Sequence, residues 1–258
     1  MTSSHYDQLY TDFLNGNQVK GIEELVVRLH DAREDGAAFP QATEALRNHK
    51  LFDLVRKDPY TDHSVQRPRG YPGDAELIDM IYLIEPKGEP DDFGRSLFDR
   101  TIACGASEAV RQRLKYAREL LAIAIGNGQS VCSLAGGHLR EADDLMGRIH
   151  RPFTVVDQDA QSLSVVRNTH KDAIEAIEAN VFNWLRTAPR EGRSYDLVYS
   201  LGLTDYLDAR QLLTFTKLAA KIMAPGGKLV LANFHDHGWS AYMEAARDWY
   251  LVYRTDED

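Results

Sequence analysis

Gln129-Ser-Val-Cys-Ser-Leu-Ala-Gly-Gly-His-Leu-Arg-Glu-Ala-Asp143 joins a short apolar run to a glycine pair and then to an acidic stretch. Val131 to Ala135 reads as a buried parallel strand. Gly136 and Gly137 make the turn, since glycine lets a backbone approach a ligand with no Cβ in the way. Leu139 to Met146 is expected to be a helix. Strand, glycine turn and helix is the arrangement by which an open α/β sheet holds a nucleotide-like ligand at its carboxyl edge. Ala135 and Leu139 stand where a dinucleotide binder usually has glycine, so a pyrophosphate is disfavoured. A second apolar run, Pro152 to Val156, ends in Asp157. An acid about twenty residues beyond the turn, at the end of the second strand, suits the hydroxyls of a ribose.

Downstream the alternation continues. Strands are expected at Ser130 to Leu134, Phe153 to Val156, Ile177 to Val181, Leu197 to Ser200 and Lys228 to Asn233, with helices between them. Ala224-Pro-Gly-Gly227 reads as a sharp stop before the last strand. Such alternation predicts a parallel sheet covered by helices on both faces.

Upstream the pattern changes to helical spacing. Tyr6, Leu9, Tyr10 and Phe13, then Ile22, Leu25, Val26 and Leu29, predict two helices broken at Asn15-Gly-Asn17. A third is expected over Ala42 to Val55, and others over Ala75 to Leu83 and Ser107 to Ile125. Asp58 to Asp74, rich in proline and glycine, reads as irregular, and Pro86 to Asp92 as a polar loop. The expected division is a helical region over 1–125 and a sheet domain over 126–258.

Composition removes several classes of function. A net charge of -9 disfavours wrapping a phosphate backbone, so no nucleic-acid partner is expected. No apolar run reaches the roughly 20 residues of a membrane span. Met-Thr-Ser-Ser-His-Tyr-Asp7 has neither the basic nor the apolar region of a signal peptide. The 2 cysteines, Cys104 and Cys132, make no disulfide framework, and the expected setting is the reduced cytoplasm. His235 and His237 lack a third ligand at metal-binding spacing, so no metal is expected. The expected partner is a small-molecule substrate, and nothing sets an oligomeric state.

From Gly128 to Tyr253 the chain resembles the class I S-adenosylmethionine (SAM) methyltransferases. The resemblance rests on Ser133-Leu-Ala-Gly-Gly-His-Leu-Arg-Glu141, Val155-Val-Asp-Gln-Asp159, Ala179-Asn-Val-Phe182, Tyr195-Asp-Leu-Val-Tyr-Ser-Leu-Gly202 and Ala224-Pro-Gly-Gly-Lys-Leu-Val-Leu231, in that order. It implies a Rossmann-like parallel sheet with an N-terminal helical cap, and SAM as substrate or methyl donor. It also implies roles. Ala135, Gly136 and Gly137 pass the methionine and ribose, Asp157 binds the ribose, and Gln158 lies beside the adenine. Asn180 accepts from the adenine amino group through its carbonyl oxygen, and Val181 and Phe182 pack on the ring. Ser200, Leu201 and Gly202 face the reacting centre.

Arg67-Pro-Arg-Gly-Tyr-Pro-Gly-Asp74, with Gly202-Leu-Thr-Asp-Tyr-Leu207 and Asp248-Trp-Tyr-Leu-Val-Tyr-Arg254, is similar to one bacterial branch of that superfamily. The branch includes hydroxy-fatty-acid methyl ester synthases and azetidine-2-carboxylate synthases. The favoured expectation is cyclisation of SAM to azetidine-2-carboxylate with release of methylthioadenosine, an activity of specialised metabolism. If Asp258 is the natural end, little chain is expected to be left after Asn233 for a large acceptor pocket. The alternatives are O-methylation of a small or fatty carboxylic acid and a non-catalytic SAM-binding module. Arg69 is expected either to bind the SAM carboxylate or to pair with Asp74 or another nearby acid. Tyr6, Tyr10, Phe13, Tyr60 and Tyr71 offer faces for a sulfonium, worth about 1–2 kcal/mol when desolvated. Asp205, Tyr206 or His138 is expected to relay a proton.

Overall fold

The computed structural model describes residues 3–83, 85–255 and 257. Its helices and strands run in the order α1 (Ser3–Leu14), α2 (Gln18–Glu34), α3 (Ala38–Arg47), α4 (Leu51–Val55), α5 (Pro59–Gln66), α6 (Ala75–Leu83), α7 (Asp92–Ile102) and α8 (Gly105–Gly126). There follow β1 (Val131–Leu134), β2 (Phe153–Asp157), α9 (Ala160–His170), β3 (Glu175–Glu178), α10 (Val181–Thr187), β4 (Tyr195–Ser200), α11 (Ala209–Ala219), β5 (Met223–Leu231) and α12 (Ser240–Arg247). No helix among the described residues is long and apolar enough to cross a membrane.

The chain forms two units, one of Met1–Arg111 with Asp236–Tyr250, the other of Gln112–His235 with Leu251–Asp258. The expected boundary at 125/126 differs from both. The helical unit takes back a late segment, because Ala241, Tyr242, Ala245 and Ala246 of α12 belong to the same buried cluster as Leu9, Leu25 and Leu29. Arg47 fastens that segment by donating to the carbonyls of Ala245 and Glu244, each at 2.9 Å. Such bonds satisfy carbonyls that a helix end leaves open.

Several local expectations are corrected here. The helix expected over Ala42 to Val55 is two, α3 and α4. The irregular stretch begins with α5, because Asp58 caps it by accepting from the Tyr60 and Thr61 amides and Pro59 fills its first position.

The second unit is α/β, with a five-stranded sheet in the order β3-β2-β1-β4-β5 and every neighbour parallel. This is the Rossmann-like order, with its switch point between β1 and β4. Alternate strand residues feed opposite faces. Val131, Val155 and Leu197 pack with Leu121 of α8 and with Leu163 and Val166 of α9. Cys132, Val156 and Val198 pack with Trp184 and Leu185 of α10 and with Phe215 of α11.

Three elements differ from expectation. The segment after the glycine turn is a 3-10 helix, Arg140–Arg148. β3 ends at Glu178, and Val181 opens α10, because the Asn180 side chain accepts from the Asn183 amide and caps that helix. Ala224-Pro-Gly-Gly227 lies within β5: pairing jumps from Tyr195 with Met223 to Leu197 with Lys228. A Cβ on Gly227 would sit within 2.9–3.1 Å of three carbonyl oxygens, so glycine is needed there.

Candidate functional site

At the tip of β1 the chain takes three left-handed residues, Ala135 (φ 57), Gly137 (φ 55) and Leu139 (φ 54). For alanine and leucine this conformation costs on the order of 1–2 kcal/mol each. It persists where the surroundings overdetermine it, and such strain gathers at ligand sites. Here the Ala135 amide donates to the Val156 carbonyl at 2.8 Å. The Gly137 amide donates to Asp157 Oδ2 at 2.9 Å, and the Leu139 side chain is buried in the core. Gly136 has a different reason from the one expected. A Cβ there would lie 2.4 Å from Val155 Cγ2 and 2.8 Å from Ser133 Oγ, so its role is close packing of the turn on the sheet.

Asp157 is 7% exposed and stands at the end of β2. Its second oxygen, Oδ1, accepts from the Asp159 amide at 2.9 Å. Burial pushes its carboxyl above the usual range, while the Asp159 and Gly137 amides pull it back. Each oxygen has two lone pairs, so each keeps capacity for a further donor.

On the neighbouring strand end, the Ala179 amide donates to the Asp157 carbonyl at 2.9 Å. This brings Asn180 and exposed Gln158 to the same edge. The Asn180 oxygen already caps α10 at 3.3 Å. Val181 is buried in the core, and Phe182 meets Phe215 edge to face at 6.0 Å.

β4 delivers a second group. Ser200 is fully buried and donates to the Leu134 carbonyl at 2.7 Å. It clips β4 to β1 at the switch point. Beyond it, Leu201 offers its carbonyl to Arg113 Nη1, and a Cβ on Gly202 would meet nothing within 4 Å. Asp205 is 3% exposed. Its Oδ1 accepts from the Phe234 amide at 2.7 Å, and its Oδ2 lies 3.9 Å from Arg113 Nη1. Burial raises its carboxyl to about 6, against the Phe234 amide, Arg113 and Arg254. Tyr206 is exposed and His138 buried.

Three residues here carry no sequence flag. Arg113 reads as one more charge on a long amphipathic helix. Glu141 reads as an acid in a first turn; it is buried, pushed upward by that burial, and accepts from the Tyr199 hydroxyl at 2.8 Å. Tyr199, itself buried, reads as strand core.

Arg69 and Tyr71 belong to the helical unit. Arg69 Nη2 donates to Glu76 Oε1 at 3.0 Å, the internal pairing given above as its alternative role. Asp74 receives His63 Nε2 at 2.8 and 2.9 Å and caps Leu77. Tyr6 and Phe13 are core residues, and Tyr60 lies beneath Arg247 at 3.5 Å, so these three faces serve the fold. Tyr10 carries Lys50 over its ring at 4.2 Å.

No protein-family model matches the chain. No curated protein matches it. Among solved structures it is similar to the SAM-dependent methyltransferase from Agrobacterium tumefaciens, at 15% identity over 53% of this chain and 49% of that one, TM-score 0.43. It is similar to an O-methyltransferase family protein from Burkholderia thailandensis, at 20% identity over 63% and 51%, TM-score 0.44. A third is the N-methyltransferase NodS from Bradyrhizobium japonicum WM9 in complex with S-adenosyl-l-homocysteine, at 20% identity over 45% and 59%, TM-score 0.38. Each match takes in less than two thirds of the solved chain. The fold rests on the strand order itself.

Proposed function

We propose that the chain binds SAM across the tips of β2, β1 and β4 and consumes it in small-molecule chemistry. The observation that carries this is the strained turn Ala135–Leu139 pinned to Asp157 at the switch point. The fit rests on Asp157: a buried carboxylate with remaining acceptor capacity suits a diol better than a phosphate, which it would repel. Asp157 holds the ribose, and the backbone of Ala135 to Gly137 passes the sugar and the methionyl chain. Exposed Gln158 and Asn180 flank the base, with Phe182 beside it.

In the favoured reading SAM supplies both reactants: its α-amine displaces sulfur from its own γ-carbon, the C–S pair stays on sulfur, and azetidine-2-carboxylate and methylthioadenosine separate with loss of one proton. Asp205 Oδ2 takes that proton from the ammonium, since a carboxyl raised to about 6 is an effective base near neutrality. Tyr206 and His138 are the other candidates for relaying it. The second reading is O-methyl transfer to a small or fatty carboxylic acid, which needs no base; open space at Gly202 favours room for an acceptor.

Incubating the pure protein with SAM alone, followed by mass spectrometry, tests the proposal. Methylthioadenosine with a cyclic amino acid supports cyclisation. S-adenosylhomocysteine formed only when a carboxylic acid is added supports methyl transfer. SAM bound but unchanged under both conditions leaves a non-catalytic module.

A further inference from the structure

Beneath the strained turn lies a buried polar pair that packing alone does not call for. Tyr199 of β4 and Glu141 of the 3-10 segment are 1% and 4% exposed. The Tyr199 hydroxyl donates to Glu141 Oε1 at 2.8 Å. The Tyr199 ring belongs to one apolar cluster with Val155, Leu139, Ala142 and Leu145. Burial raises the Glu141 carboxyl above its ordinary range, so a charge there is held at a cost. Apolar residues of the same volume often match or better such a buried pair in stability. Stability alone gives no reason for a carboxyl and a hydroxyl here; placement gives one.

The pair reaches the two ends of the turn. On β1, Ser133 stands in register beside Tyr199 and just before left-handed Ala135. Glu141 follows just after left-handed Leu139. The next residue of β4, Ser200, donates to the Leu134 carbonyl at 2.7 Å. β4 thus fixes the start of the turn through Ser200 and its far end through Tyr199. The other bonds that hold the turn use the Ala135 and Gly137 amides and Asp157, groups proposed above to line the ligand. The bond between Tyr199 and Glu141 holds the turn from behind and occupies none of them.

We infer that Tyr199 and Glu141 are positioning residues: their bond keeps the Ala135–Leu139 turn in its strained conformation, so that a nucleoside meets a site already formed. The inference rests on the SAM reading and deepens it by assigning the device that prepares the site. Without the bond the turn relaxes toward unstrained backbone. Binding must then restore the strain, and the apparent affinity falls by the fraction of molecules that have relaxed.

The test is calorimetric titration of S-adenosylhomocysteine into wild type, Tyr199→Phe and the double variant Tyr199→Phe with Glu141→Met, beside a denaturant titration of each. Tyr199→Phe strands a buried carboxyl and is expected to lose stability. The double variant replaces both polar groups with apolar ones of similar size and is expected to regain wild-type stability or exceed it. Its affinity is expected to stay about 5–30-fold below wild type, the equivalent of one left-handed residue released. Affinity that stays low while stability returns is a pattern that a merely structural pair does not give. Affinity that matches wild type in the double variant, or a double variant less stable than Tyr199→Phe, makes the pair a fold element and overturns the inference while SAM binding stands. If wild type binds no S-adenosylhomocysteine, the SAM reading fails and this inference fails with it.

Discussion

Arg247 in the helical unit and Arg113 in the sheet unit both hold guanidinium N–H groups without acceptors among the described residues, under opposite conditions. Arg247 is fully buried. Its guanidinium lies 3.5 Å over the Tyr60 ring and 5.3 Å from that of Tyr242, with Asp58 Oδ2 at 3.6 Å. Asp58 in turn accepts from the Tyr60 and Thr61 amides and from the Thr61 and Thr101 hydroxyls. Charge there is balanced by a carboxylate and by two aromatic faces, and the group joins α5, α7 and α12. Arg113 is partly exposed, donates to the Leu201 carbonyl and keeps its buried Nε without an acceptor among the described residues. An unmet hydrogen bond sealed behind aromatic rings, as at Arg247, specifies a fold.

The largest effect should come from Arg247→Met. It leaves Asp58 buried and uncompensated, and about 3–5 kcal/mol of unfolding free energy should be lost in a denaturant titration. A loss under about 1 kcal/mol would show that the helical unit does not depend on this pair.

The next contrast is in pH. Asp205 is neutral well below about 6 and ionised above it. The groups facing it are Arg113 from α8, Arg254 from the C-terminal stretch and the Phe234 amide. SAM affinity should rise by up to about tenfold between pH 5 and 7, measured by calorimetry, and Asp205→Asn should flatten the profile. The stability of the free protein should move the other way. A carboxyl raised in the folded state contributes stability below its ordinary value and loses that contribution as pH rises through about 6. Parallel movement of affinity and stability would break the assignment.

The smallest effect should be that of Arg69→Ala. With Glu76 as its observed partner, a change in SAM affinity under about 1 kcal/mol is expected. If Arg69 captures the SAM carboxylate, this variant will give a larger loss, selective for SAM over adenosine.

The alternation of apolar runs with helices exposed the sheet and its carboxyl edge, because buried parallel strands are short and apolar on both faces. What stayed hidden has local causes. Asn180 interrupts a run that looks like strand through Val181, and only its capping bond to Asn183 shows where α10 begins. Asp58-Pro59 is a strong helix start masked by the prolines and glycines after it. That Tyr242 and Ala245 pack with Leu25 is a long-range fact which no periodicity carries. Asp157 is readable because strand spacing places it. Arg113 is not, because a charge on an amphipathic helix usually faces water and only its neighbours Leu201 and Asp205 distinguish it.

We propose a SAM nucleoside held at Asp157 beside the strained turn. Calorimetric titration of SAM into wild type and Asp157→Ala tests it most directly. Saturable binding to wild type is expected, with a loss of about 1–3 kcal/mol in the variant, as its ribose partners are stranded. Absence of heat with wild type, or the same affinity in both proteins, would contradict it.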